Sequence, residues 1–562
     1  MRLLTVFLLL FSSLCTAQSI YPTDYFRPPL DITLVAAGTF GELRSNHFHS
    51  GIDIKTQQRE GLKVYAAASG YVSRIKVSHF GYGKALYITH PNGYTTVYGH
   101  LQKFSPKIEA YVKAQQYEKE SFEIELFPNL EDLTIEKSEI IAFSGNTGGS
   151  GGPHLHYEIR DNQERPLNPM LFGLDIADTT RPIISEVYAY AISEDAHVNK
   201  SKMKQKLRLI DNKNGTYTVE NIEAYGKIGF AIESIDRQDL ASNKNGVYNI
   251  QARYNGNLCF ELAYKRFSFD ETRHLNRLID YDHYKTNKER LQKLFVEKGN
   301  PLSMYKNIVN DGYIVVEDST SSIYKVRIND FKDNDTWLHI NIKGVKTNDV
   351  QPQEDLSTPY YIYANQDHHL NDGRINVDFT RNTFYDDFFI DFKVSSDTLF
   401  LHKDIIPAKR YFDISYDISD YKSEDVNKLY IARLVGWNDY PLYSKTTRKE
   451  NVLTTSTRIL GKYALASDTI APIIQPINFS KGKWLSKYKF LKIKIDDDAS
   501  GISNYRAAIN GKWILMEYDY KTKTLTYNFD DGIITETKNN LKLIVTDNVG
   551  NNSTFEIMFY RK

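Results

Sequence analysis

The run GNTGGSGGPHLHYEIR at 145–160 ends a glycine-rich loop in a strand pattern that carries His154 and His156. Side chains two apart on a strand share a face, so two imidazoles can face one reaction centre. Imidazole binds Zn²⁺ or moves a proton near neutral pH, although His-x-His also stands at solvated sheet edges. NHFHSGIDI at 46–54 adds His49 and Asp53, and TTVYGHL at 95–101 adds His100. Seven of the fourteen histidines fall before residue 157, which concentrates this chemistry in the amino-terminal part of the chain. One Asp and two His suffice as protein ligands of a catalytic zinc and leave a position for water. His49 and Asp53 are four apart, a helical spacing, yet Gly51 interrupts the segment and Ile52 and Ile54 alternate with Asp53 as in a strand. On a straight strand their Cα atoms would stand about 13 Å apart, so the chain must bend near Ser50 and Gly51 for both to reach one ion. Spacing alone does not say which of His154 and His156 is the ligand.

Together, HSGID, GHL and HLH resemble the M23 family of zinc metallopeptidases, the lysostaphin and LytM-like cell-wall endopeptidases. That family's signature is H-x-x-x-D, then a histidine before an aliphatic residue, then H-x-H. GYGKALYITH at 81–90, GYTTVYGHL at 93–101 and SGNTG at 144–148 are similar to family segments as well, and the likeness extends over residues 38–172. The resemblance implies His49, Asp53 and His156 as the ligands of Zn²⁺, and His100 and His154 as catalytic histidines outside the metal's ligand set. It also implies hydrolysis of peptide amides in the stem or cross-link peptides of peptidoglycan. On that reading His154 orients the attacking water and accepts its proton, while His100 hydrogen-bonds the tetrahedral intermediate or protonates the leaving amine; the two roles are interchangeable. No H-E-x-x-H supplies the helix-borne pair of a glutamate-based zincin. Gly145, Gly148, Gly149, Gly151 and Gly152 lack the Lys-Ser or Lys-Thr of a phosphate loop and precede Pro153, which has no amide donor, so their work is conformational.

Arg2, the apolar run 3–11 and small residues ending at Ala17 read as a secretory signal, residues 1–17, cleaved before Gln18. That run is too short to span a bilayer, and no later stretch qualifies, so no transmembrane anchor is expected after cleavage. Bulky Leu14 disfavours lipidation of Cys15, and cleavage leaves Cys259 without a disulfide partner. The expected destination is the periplasm, the cell envelope or the exterior. Lys plus Arg equals Asp plus Glu at 70 each, a balance that does not favour nucleic acid as a partner.

Forty Tyr and 29 Phe in short alternating runs make the expected fold class mainly β. We expect an antiparallel β peptidase domain at 18–180, then immunoglobulin-like β-sandwich domains: 181–350 with a helical insertion near 270–300, a β-rich unit at 351–470, and 471–562. Within the insertion, Leu291, Leu294 and Phe295 have the spacing of one helical face, and Gly299 with Pro301 marks its stop. His274, His283 and the pair His368-His369 read as structural or solvated. Between 118 and 139, eight Asp or Glu oppose two Lys, an insertion that reads as solvated or as a groove wall for a basic part of substrate. Two further readings of the whole chain stand beside peptidoglycan hydrolysis: a catalytically silent wall-binding regulator of another hydrolase, and a secreted protease of non-wall peptides. The carboxy-terminal domains are expected to position or regulate the peptidase, with an envelope protein as a possible partner.

Overall fold

The computed structural model describes residues 21–352, 356–421 and 425–562; the expected signal peptide lies outside them. The amino-terminal sheet runs in the order Ala36–Gly38, Ile52–Lys55, His154–Arg160, Thr95–Gly99, Lys84–Thr89, Gly70–Val77, Ile124–Leu126, with every pairing antiparallel. Period-two alternation sorts its two faces. Ile52, Ile54, Leu155, Tyr157 and Ile159 enter one apolar core with Val72, Ile88 and Tyr98, which turns Asp53, His154 and His156 to the opposite face. A second, three-stranded sheet of Lys63–Tyr65, Ile140–Ser144 and Leu101–Phe104 sets the segment after His100 beside the start of the glycine loop.

The segment that leads into the acidic stretch is helical. Pro106–Glu118 is a helix with proline in its first turn, and Ile108, Val112 and Gln116 are buried on one face. The Glu109 carboxylate accepts the Phe104 N–H at 2.9 Å, satisfying a donor at the helix entry. Ser138 adopts φ 72°, the left-handed conformation that glycine reaches without strain.

Beyond residue 180 the 14-residue strand Ile222–Ile235 organises the next unit. Its start pairs in parallel with Asp335–Gly344 and its end antiparallel with Ile183–Ala191. Gly226, at φ 76°, stands at the handover. This strand joins the pairings on either side of it into one 13-stranded sheet around a single core. The helical insertion is present but lies earlier than the apolar spacing placed it, as Leu275–Leu278 and Tyr281–Asn287, the latter capped by the Asp280 carboxylate on the His283 N–H. Lys288 ends it in a left-handed conformation. Leu291, Leu294 and Phe295 are all buried, yet not on a helix: Gln292–Lys293 pairs with Ile222–Ile235, and ladder hydrogen bonds override the local 3.6 periodicity. His368 and His369 begin a strand, His368–Asp372, rather than a loop, and His369 is exposed against Asp378.

Two five-stranded sheets and then two four-stranded sheets complete the chain, each pair enclosing its own core. The last of these units docks on the amino-terminal one. Buried Asp531 takes the Tyr117 hydroxyl at 2.8 Å and the Lys113 ammonium, Glu517 takes Lys84 at 2.8 Å, and the Tyr520 hydroxyl donates to the Gly148 carbonyl at 3.3 Å. A crevice of about 680 Å³ lies between them, bordered by Asn146, Thr147 and Gly148 of the glycine loop. Among the described residues no helix is long and apolar enough to cross a membrane.

Candidate metal centre

Adjacent strands place Asp53 directly opposite His156, which sets their side chains on one face at contact distance. His49 reaches the same point because the chain turns before the Ile52–Lys55 strand. The His49 N–H donates to the Glu42 carbonyl and the His49 carbonyl accepts from Gly41, both near 2.9 Å. Gly51 permits the turn: a Cβ there would lie 2.3 Å from the Tyr157 carbonyl oxygen. The bend demanded by the four-residue spacing is thus built, and it is built on glycine.

His49 Nε2, His156 Nδ1 and Asp53 Oδ1 converge at 2.8–3.1 Å from one another. The outward nitrogens of both rings face acceptors: His49 Nδ1 lies 2.7 Å from the Thr39 carbonyl, and His156 Nε2 lies 2.8 Å from Glu158 Oε1. With the ring N–H groups committed outward, both inward nitrogens present lone pairs beside a carboxylate oxygen whenever the rings are neutral. Three acceptors without a donor among them form a cation site. Their separations approach the edge of a tetrahedron with Zn–N bonds of 2.0–2.1 Å, about 3.3 Å.

A buried charge relay backs the site. Glu158 and Arg160 continue the alternation of HLHYEIR, and Arg160 Nε donates to Glu158 Oε2 at 2.6 Å. Glu158 Oε1 also accepts from Ser50 at 2.7 Å and Tyr82 at 2.5 Å. Burial works against its charge, but Arg160 and His156 outweigh burial and hold the carboxyl well below the usual range. For His156, burial is overcome by the hydrogen bonds and charges of Asp53 and Glu158, which push the ring up to about 9. Burial likewise opposes ionised Asp53, and the surrounding histidines reverse it. The local field therefore favours positive charge where the three atoms converge: a proton on His156 in the free protein, and a cation that would displace it.

His154 and His100 stand beside this triad. His154 Nδ1 faces the Gly152 carbonyl at 2.8 Å, leaving Nε2 turned inward, 3.4 Å from Asp53 Oδ1. His100 Nδ1 faces the Thr147 carbonyl at 2.8 Å, and its ring lies 4.7 Å from that of His154. Burial, then the neighbouring imidazoles of His156 and His154, push His100 down to about 3, so the ring is neutral at physiological pH. His100 follows the Thr95–Gly99 strand in a left-handed conformation, φ 57°, which turns it off the sheet. All five residues singled out by spacing thus meet in one place. Glu158, Arg160, Tyr82 and Ser50 join them; the first two carry the same period-two signal as HLH, whereas the last two become visible only once the chain is folded.

Phe48, next to His49, is packed outside the amino-terminal core. With Phe40 it enters the following unit's core, 5.5 Å from the Phe267 ring and 6.3 Å from Tyr264. Phe48→Leu should lower stability by on the order of 1–2 kcal/mol through lost packing and weaken zinc retention. Chemical denaturation and a zinc competition assay on the same variant check both effects.

Residues 47–117 match Peptidase family M23, and residues 359–468 match the Zu5-like domain. The DD-carboxypeptidase/endopeptidase Mpg of Neisseria meningitidis serogroup B is 35% identical over 139 residues, which are 25% of this chain and 26% of that protein. The peptidoglycan DD-endopeptidase ShyA of Vibrio cholerae is 30% identical over 131 residues, 23% of this chain and 24% of that protein. The chain thus spans about a quarter of the length of these curated relatives. Among solved structures, a zinc-containing peptidase from Vibrio cholerae aligns at 25% identity and a TM-score of 0.20, covering 27% of this chain and 40% of that one. His49 and Asp53 lie within the residues that match Peptidase family M23 and His156 follows them; the chain carries an M23-family peptidase domain.

Proposed function

We propose that the protein is an exported zinc endopeptidase that hydrolyses peptide cross-links of bacterial peptidoglycan at the periplasm or cell envelope. The observation that carries this reading is the trio of inward, donor-free acceptors, His49 Nε2, Asp53 Oδ1 and His156 Nδ1, whose outward N–H groups are already committed. The names of the Neisseria and Vibrio relatives, DD-carboxypeptidase/endopeptidase and peptidoglycan DD-endopeptidase, support the substrate class. His49, Asp53 and His156 would hold a zinc ion, which when bound would polarise the scissile carbonyl and lower the pKa of a water. His154 Nε2 faces the site as a lone pair and accepts that water's proton. Neutral His100, whose Nδ1 N–H is committed to the Thr147 carbonyl, presents Nε2 beside it as a second lone pair and accepts a hydrogen bond at the reacting centre, while the proton that His154 takes passes on to the leaving amine. The Gly152 and Thr147 carbonyls hold the two rings in the tautomer this work requires.

The units at 181–350, 351–470 and 471–562 position the peptidase on the wall or couple it to an envelope partner. The glycine loop, clasped by Tyr520, is where such coupling meets the centre.

Purified, zinc-loaded protein should cleave cross-linked muropeptides at a defined amide, located by mass spectrometry of the new termini, and should stop when zinc is removed. Cleavage confined to non-wall peptides would defeat the substrate assignment. Tight binding to sacculi without cleavage after zinc reconstitution would replace the enzyme with the regulatory reading.

A further inference from the structure

A second constellation lies where the amino-terminal unit meets the next. Asp178 follows the peptidase segment, Asp236 follows the Ile222–Ile235 strand, and Asp330 follows the Ser321–Asn329 strand. One carboxylate oxygen from each lies within 4.8 Å of the others. Among the described residues no Lys, Arg or His forms an ion pair with any of the three. Their hydrogen bonds come from neutral donors, Thr180 to Asp178, the Arg237 backbone N–H to Asp236, and the backbone and side-chain N–H groups of Asn334 to Asp330, and Asp178 also lies within hydrogen-bonding reach of the other two carboxyls. Asp236 is 1% exposed, and its Oδ1 has no partner. Burial, then repulsion from Asp178 and Asp330, pushes its carboxyl up to about 8.

Asn245 supplies an independent sign. It exchanges both backbone hydrogen bonds with Asp236, at 2.9 and 2.8 Å. Residues so paired project their side chains to the same face, so the Asn245 amide stands beside the Asp236 carboxylate. That amide is 3% exposed, and neither its oxygen nor its nitrogen has a hydrogen-bond partner. Leaving such groups buried and unpaired costs about 1–3 kcal/mol each, and a chain seldom gathers carboxylates and a bare amide oxygen without a positive centre to face.

We propose that Asp178, Asp236, Asp330 and the Asn245 side-chain oxygen form a structural Ca²⁺ site that joins the peptidase unit to the unit that follows it. The ligand set is all oxygen and carries up to three negative charges, the donor chemistry of Ca²⁺ and not of Zn²⁺. Oxygens bonded to one Ca²⁺ at 2.3–2.6 Å lie at most about 5 Å apart, which accommodates the observed spread. Mg²⁺ demands a tighter octahedron and keeps its waters, so it fits this buried, protein-lined position less well.

The site would reach the zinc centre through few bonds. Within the 236–246 segment, Asn243 donates to the Ala37 carbonyl at 3.2 Å and the Gly246 N–H donates to Thr39 Oγ1 at 3.0 Å. Thr39 in turn offers its carbonyl to His49 Nδ1. Ca²⁺ would thus stiffen the wall against which a zinc ligand is oriented.

The test uses the full chain, stripped of metals and reloaded with one equivalent of zinc. Adding CaCl₂ should bind one further ion per chain by calorimetry and raise the melting temperature by on the order of 5 °C at saturation, with MgCl₂ producing less. Asp236→Asn and Asp330→Asn should abolish the rise. Asp497→Asn, in a separate carboxylate cluster with Asp468 and Asp547, should leave it intact. Three results would each overturn the site: no Ca²⁺ bound at millimolar concentration, a calcium response lost with Asp497→Asn but kept in Asp236→Asn, or Asp236→Asn melting above the wild type in saturating Ca²⁺. The last would mean that the three carboxyls share protons. Because zinc content and peptidase activity are not the readout, failure here leaves the hydrolase assignment standing.

Discussion

His154→Ala is expected to keep its zinc and lose turnover by about 10²–10⁴-fold, the contribution usual for a positioned general base. Its Nε2 faces the centre at 3.4 Å from Asp53 Oδ1 but lies outside the tight triad, so removing it spares the three acceptors. His100→Ala should behave alike. Asp53→Ala and His156→Ala differ in kind, because each deletes an inward donor: zinc content and kcat/KM should fall together. Zinc per chain and muropeptide kinetics measured on the same preparations separate the two classes. If His154→Ala empties the site while His156→Ala retains its metal, the roles within HLH are the reverse of those assigned here.

Glu158→Gln should weaken zinc binding by about 10–100-fold, the usual consequence of losing the partner that orients a metal-binding histidine. It should also cost about 3–5 kcal/mol of stability, because the buried Arg160 guanidinium loses its only carboxylate at bonding distance apart from the exposed Glu164. The pH dependence has a definite sign. The folded-state pKa of Glu158 is depressed, so its contribution is complete above the unfolded carboxyl's pKa and is lost as pH falls through the folded one. In the zinc-free protein the stability gap between wild type and variant should therefore be widest at roughly pH 5–6, close in stronger acid, and narrow again toward pH 9 as His156, held up to about 9 partly by Glu158, loses its proton. Denaturant melts across that range check it; a gap that vanishes near neutrality would remove Glu158 from its supporting role.

What could be read before folding follows from which forces act locally. HLHYEIR, HSGID and GHL declare their chemistry because strand alternation separates core from site within a few residues, and Gly51 marks the bend that a straight strand forbids. Tyr82 and Ser50 escape such reading, since they close on Glu158 from 76 and 108 residues away. Leu291, Leu294 and Phe295 mislead for the opposite reason: their helical spacing is genuine, but pairing of Gln292–Lys293 with a long neighbouring strand supplies the backbone hydrogen bonds a helix would have offered. The helix Pro106–Glu118 lay hidden under charge, its buried face reduced to Ile108, Val112 and Gln116.

Phe40 and Phe48 give the amino-terminal unit an unusual relation to its surroundings. Sequence likeness to the peptidase family begins at residue 47, as though a portable cassette had been inserted among unrelated β-domains. Yet the residue immediately before His49 is anchored in the neighbour's apolar core. A cassette excised on the bounds of that match, residues 47–117, would carry His49, Asp53 and His100 without His154 and His156, and would leave behind the floor on which the first of them stands. The transferable piece is then the pair of adjoining units, and exchange of the peptidase between chains requires a matching aromatic socket built around Tyr264 and Phe267.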